Sequence, residues 1–233
     1  MLNFVPWDSM LQEYVDDQGR VDYGHWQQEA RDTLGQWLSD LGGVEVDTLS
    51  SEEKLALLLN LYNALTIQQV LKQYPLVSIR PRVLGVPNWL GLLQFFSRPI
   101  YILDGEALSL QAIEHQKLRP VFKEPRIHFA LVCASLGCPI LRNEAYLPDI
   151  VEAQLETDAH RFIHNPDKVR YDPETGTLYL SKIFKWYAQD FLKVAPSVPD
   201  YIGAYLSTPA TLSAATKVFY LPYDWALNQR TSS

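Results

Sequence analysis

The chain predicts an α+β fold, and three features carry that prediction. The segment Leu55 to Leu71 is apolar on nearly every helical face, which marks a centrally buried helix. Short strand-like runs flank the turns Asp104-Gly105 and Pro173-Glu174-Thr175-Gly176, which marks two hairpins. Helices and hairpins alternate without regular βαβ spacing, so a helical N-terminal region should pack with a small antiparallel sheet. With 233 residues, 47% hydrophobic and 20% charged, the chain lies in the globular range and is long enough to bury a core. No repeat, low-complexity tract or Gly/Ser linker marks a boundary, so one domain over residues 1–233 is expected, with 1–49 as a helical cap.

Each element follows from local signals. Trp7 to Leu41 reads as short helices around a turn at Asp17-Gln18-Gly19-Arg20, stopped by Gly42-Gly43. Ser50 and Glu53 form a capping box that opens the long helix, which ends at Tyr74 before Pro75. Pro81, Pro87 and Pro99 punctuate a Trp-, Leu- and Phe-rich segment, Val86 to Phe96, read as an irregular loop with room for a short helix. After the first hairpin, Ser109 caps a helix to Leu118 that Pro120 should stop. Arg126 to Val132 is a short apolar run broken only by His128 and reads as a buried strand. Leu147 to His164 is amphipathic at helical spacing and ends at Asn165-Pro166. The second hairpin, Lys168 to Leu180, precedes helices from Lys182 to Lys193 and from Pro199 to Leu206, and Lys217 to Leu221 is a last strand.

Composition excludes several function classes. A net charge of -7 argues against a nucleic-acid binder, which needs a basic stripe; the pair Arg80 and Arg82 reads as a solvated loop. The N-terminus carries neither a basic leader nor an apolar run of signal length. Leu55 to Leu71 is interrupted by Asn60, Tyr62, Asn63 and Thr66 and is shorter than the roughly 20 residues that span a bilayer, so no membrane span is expected. Two cysteines make no disulfide framework, which leaves a reducing, cytoplasmic location as the default. No motif calls for a cofactor.

One compact segment, Ile127 to Pro139, offers chemistry. A nucleophilic cysteine needs an imidazole to hold it as thiolate, and the imidazole needs a group to orient it. Cys133, His128 and Glu114 supply all three, and the small residues Ala134, Ser135 and Gly137 would let amides surround an oxyanion. Along a straight strand His128 and Cys133 would stand roughly 16 Å apart, so the chain has to curl after Val132 for them to meet. The plain alternatives are a satisfied core histidine and an inert buried cysteine. Cys138 makes a redox pair with Cys133 a further reading, and zinc held by Glu114, His115, His128 and a cysteine is another, although no usual ligand spacing supports a metal. Asn60 and Asn63 need buried partners, either loop backbone or, for Asn63, a substrate carbonyl near the cysteine. Arg119, Lys182 and Lys185 are candidates to line the same cleft and draw in an anionic group, surface solvation being the plainer reading.

Leu58 to Ile67, Ala112 to His115 with Leu118-Arg119-Pro120, Pro125 to Pro139, Leu180 to Tyr187 with Asp190-Phe191, and Tyr220 to Trp225 follow one another in order over about residues 50 to 228, and these blocks resemble the successive motifs of the DUF547 family. The resemblance implies a papain-like or transglutaminase-like cysteine enzyme with its core in rearranged order, the cysteine last. Residue by residue it implies Glu114 as orienter, His128 as base and Cys133 as nucleophile of a hydrolase or acyl transferase acting on an amide, peptide or thioester. Plant relatives look like interaction proteins that carry a coiled coil before the domain, and no heptad segment precedes it here. A non-catalytic module that binds a peptide or small ligand in the same cleft is the alternative.

Overall fold

The computed structural model describes residues 2–80, 82–83, 86–207 and 211–230. Pro81, and the side chains of Arg82 and Pro87, lie outside the described residues. The chain is mixed α+β, with most of its residues in helices and loops. Three N-terminal helices, α1 (Val5–Tyr14), α2 (Tyr23–Glu29) and α3 (Arg31–Leu41), pack through their indoles, with Trp7 stacked 5.5 Å from Trp37 and tilted 5.8 Å from Trp26. The turn between α1 and α2 places Gly19 at φ 69°, so close to Ile140 that a Cβ would lie 2.5 Å from the Ile140 Cβ. Only glycine fits that position, and it presses the N-terminal turn against the chain just beyond Cys138.

The helix α4 (Ser51–Gln73) is the central element, with the predicted capping box of Ser50 and Glu53 in place. Apolar side chains on all its faces are buried, as a core helix requires. A minimal ribbon, β1 (Arg82–Val83) with β2 (Val86–Pro87), leads into α5 (Trp89–Ser97). The segment expected to be mostly loop is thus helical, because Asn88 caps it by accepting from the Gly91 amide at 3.1 Å. The hairpin β3 (Tyr101–Leu103) and β4 (Glu106–Leu108) turns through Asp104 and Gly105 at φ 50° and 76°, the positive angles that dipeptide was expected to supply.

Two further expectations are corrected. The helix begun by Ser109 does not stop at Pro120: α6 (Leu110–Ala112) passes into a π-helical turn (Ile113–Leu118) and then α7 (Arg119–Phe122). The π turn resets the register, so Pro120 falls in a first turn, where its missing amide has no bond to lose. The run Arg126 to Val132 is not a strand but a 3-10 helix (Pro125–Phe129) followed by chain without regular structure. Glu124 caps the helix through the Arg126 amide, and beyond it the Asn63 side chain takes the place of a neighbouring strand, donating to Ala130 O and accepting from Val132 N, each at 3.0 Å. A buried apolar run can therefore stay out of a sheet.

After α8 (Val151–Ile163), β5 (Val169–Asp172) and β6 (Thr177–Leu180) pair antiparallel as predicted. The expected single helix over 182–193 is broken at Tyr187 into α9 (Ile183–Trp186) and α10 (Ala188–Phe191). The last helix, α11 (Val198–Gly203), completes a crossover, so β7 (Lys217–Tyr220) returns parallel to β6 and the three-stranded sheet is mixed, not purely antiparallel. Two apolar clusters result: α1 to α4 and the first hairpin form one, and α8, the sheet and α9 to α11 form the other. The segment from 127 to 130 lies on their seam, with Ile127 and Ala130 in the first and Phe129 in the second.

Candidate active site

His128 is the centre of a buried polar cluster, its side chain only 1% exposed. The break at Tyr187 delivers two partners to it: the Tyr187 ring stacks at 3.8 Å, and Asp190 one turn later lies 2.8 Å from Nε2. Burial opposes the Asp190 charge, but hydrogen bonds from His128, Arg119 (2.6 Å) and Lys193 (2.8 Å) outweigh it and hold the carboxyl well below the usual range. With Asp190 ionised, Nε2 carries the proton and Nδ1 is left as an acceptor. Burial lowers the imidazole's own pKa against the pull of Asp190, so the ring is neutral near pH 7. Glu114, from the π turn, approaches Nδ1 only to 3.8 Å; its Oε1 is buried without a hydrogen-bond partner, and burial raises its pKa. Asp190 is therefore the residue in hydrogen-bond contact with His128, and Glu114 stands just beyond that reach.

Cys133 sits where the chain does curl after Val132. Ala134 takes φ 57°, and the next residues are strapped to the C-terminal segment by Leu136 N to Ala226 O at 2.9 Å and Gly137 N to Asp224 O at 2.8 Å. A Cβ at Gly137 would lie 2.8 Å from both Asp224 O and the Tyr223 ring, so a glycine is required for this close approach. The curl brings Cys138 onto Cys133, and the two are disulfide-bonded. Of the two thiol states weighed from sequence, the structure holds the oxidised pair, not a free Cys133. The Tyr223 hydroxyl lies 3.1 Å from both sulfurs and from Ser135 Oγ, which itself is 3.0 Å from the Cys133 sulfur. No hydrogen bond joins His128 to Cys133 among those of the described residues.

The two centres share one cavity of about 700 Å³. Glu114, His115, His128, Cys133, Cys138 and Lys182 all line it. Other candidates stand apart. Asn63 is occupied at both polar ends by the backbone before the cysteine, and Asn60 by Trp7 Nε1 and both backbone groups of Tyr146. Arg119 lies behind the imidazole, bonded to Asp190 and to His115 Nδ1 at 2.6 Å, and Lys185 points to the Tyr220 ring. Among the described residues no group of three or more His, Cys, Asp or Glu is placed to hold a metal ion. Sequence reasoning missed Asp190, Tyr187 and Tyr223 as site residues. The available signal was a lone acid, Asp190, between the apolar Tyr187 and Phe191 in a segment read as one helix.

A family model described as "Protein of unknown function, DUF547" matches residues 46–163. The chain belongs to the DUF547 family. No curated protein and no solved structure matches it. The matched span holds Glu114, His128, Cys133 and Cys138, whereas Tyr187, Asp190 and Tyr223 of this DUF547 chain lie beyond its end. Among the described residues, no helix is long and apolar enough to cross a membrane.

Proposed function

We propose that this DUF547 chain is a cysteine-dependent hydrolase or acyl transferase for an amide, peptide or thioester bond. Cys133 is its nucleophile, His128 its base, Asp190 the orienter of the imidazole, and Glu114 a second acid beside Nδ1. What supports this reading is that an oriented, neutral imidazole and a cysteine sulfur open onto one cavity. On this reading the core is papain-like or transglutaminase-like in rearranged order, and the chain works in the cytoplasm, where dithiols keep Cys133 reduced.

The reaction begins with reduction. A thiolate of a dithiol attacks Cys138, the S–S bond breaks with its electron pair passing to Cys133, and the second thiol frees Cys138 as the reductant leaves as its own disulfide. The Cys133 thiolate takes up a proton from water, and Nδ1 of His128 removes it as the sulfur adds to the acyl carbon, with Ser135 Oγ, 3.0 Å from the Cys133 sulfur, as a side-chain donor for the oxyanion. The imidazolium returns the proton to the departing amine or thiolate, and water or an acceptor amine, deprotonated by His128, resolves the thioacyl enzyme.

A binding module for a peptide or small ligand is the second reading. It is favoured by the amides of 136 to 138, which are all bonded to carbonyls, and by the bonded sulfurs. Incubation with p-nitrophenyl decanoate, with and without a dithiol, separates the two. The enzyme reading expects a p-nitrophenol burst and an acyl adduct on the Cys133 peptide only after reduction, both lost in Cys133→Ser and His128→Gln. Reduced chain that shows neither burst nor adduct decides for the binding module.

A further inference from the structure

The wall of the cavity carries a cation held between aromatic rings. Arg80 stands on it with its guanidinium 5.2 Å over the Trp89 ring and 5.3 Å over the Trp225 ring. Two indoles fix the cation in place, and no ion pair to Arg80 is found among the described residues. Lys182 also lines the cavity and likewise has no ion pair among them. A cation held by aromatic faces and left without a carboxylate is a preorganised anion receptor, since the planar guanidinium matches a carboxylate bidentately.

The rest of the cavity is suited to an apolar body. From Arg80 an aromatic floor runs inward: Trp225 packs 4.6 Å from Tyr223, and Trp186 packs 4.8 Å from Tyr223, whose hydroxyl touches both sulfurs. Helix α5 contributes Leu92, Leu93 and Phe96 to the lining. This helix leaves Trp89 55% and Leu93 60% exposed although both line the cavity, so apolar surface at the mouth awaits cover. Elsewhere on the lining Glu114 and His128 are both pushed toward their neutral forms by burial, and Asp190 behind the imidazole is paired with Arg119 and Lys193. Arg80 and Lys182 are thus cations on the cavity wall without an ion pair among the described residues.

We infer that the cavity takes an amphiphilic carboxylate, its anionic group on Arg80 and its apolar body along the Trp225–Tyr223 floor toward Cys133. As a binding site this stands whether or not the ligand is turned over; as a substrate class it rests on the reading of Cys133 as nucleophile. An aromatic site for a quaternary ammonium is the competing use of such rings, but here the indole faces already hold a cation.

The test is calorimetric titration of the oxidised chain, in which no acyl transfer runs, with decanoate, decanol and decyltrimethylammonium below their micelle concentrations. Decanoate should bind at least about tenfold more tightly than either of the others, a difference of about 1.4 kcal/mol. Arg80→Gln should remove that preference and leave decanol affinity unchanged. Equal or tighter binding of the alcohol or the ammonium to the native chain, no decanoate binding, or an unchanged preference in Arg80→Gln each overturns the inference. Because no turnover is read, acyl trapping at Cys133 can fail while the decanoate preference holds, and the reverse.

Discussion

His128 ties the chemistry of the site to the stability of the chain. Burial holds the imidazole neutral in the fold, with Asp190 pulling the other way, whereas the unfolded chain takes up a proton below about pH 6.5. In that window the unfolded state binds more protons than the folded one, so stability falls as pH falls from about 6.5 toward the folded pKa. Glu114 has the opposite sign: raised by burial above its ordinary 4.5, it favours the fold when protonated and loses that contribution as pH rises. His128→Gln should therefore flatten the loss of stability between about pH 7 and 5, read from urea midpoints at each pH. An identical pH slope in the variant and the native chain would show that the imidazole is not held neutral. Tyr187 reinforces the same arrangement, since its ring covers the imidazole at 3.8 Å.

At the scale of elements, α4 and the chain from 130 to 132 depend on one another through a single side chain. Asn63→Ala would leave Ala130 O and Val132 N buried without their partner, so a loss of about 2 kcal/mol is expected in equilibrium unfolding. A loss no larger than that of an exposed asparagine would mean that backbone or water replaces the amide. Elements whose signals are local were legible from sequence: the Ser50 capping box, the Asp104-Gly105 turn and the amphipathic α8 need only neighbours within four residues. The strand expected over Arg126 to Val132 was not, because its partner is Asn63, more than sixty residues away, and side-chain pairing leaves no periodic trace. The break at Tyr187 was hidden for a related reason. No Gly or Pro marks it; what holds it is the contact of Tyr187 and Asp190 with His128. The parallel return of β7 likewise depends on the length of the crossover through α11 rather than on its own residues.

Across the whole molecule, the site draws on parts that lie far apart in the chain and meet at the seam of two apolar clusters. Glu114 comes from the π turn, His128 and Cys133 from the segment on the seam, Asp190 from α10, and Tyr223 from the C-terminal strap. Sequence placed the first three together because they lie within twenty residues; the other two required the fold. From sequence a turn after Val132 was the condition for His128 to meet Cys133; the chain turns at Ala134, φ 57°, and the contact this turn makes is the bond between Cys133 and Cys138. On the proposed reading Cys133, once reduced, is activated by His128. The most direct measurement is the pH dependence of Cys133 alkylation by iodoacetamide in dithiol-reduced chain, compared with His128→Gln. Activation predicts half-maximal labelling at or below about pH 7.5 in the native chain, moving to about 8.5 in the variant. Half-maximal labelling at about 8.5 or above in both would contradict it.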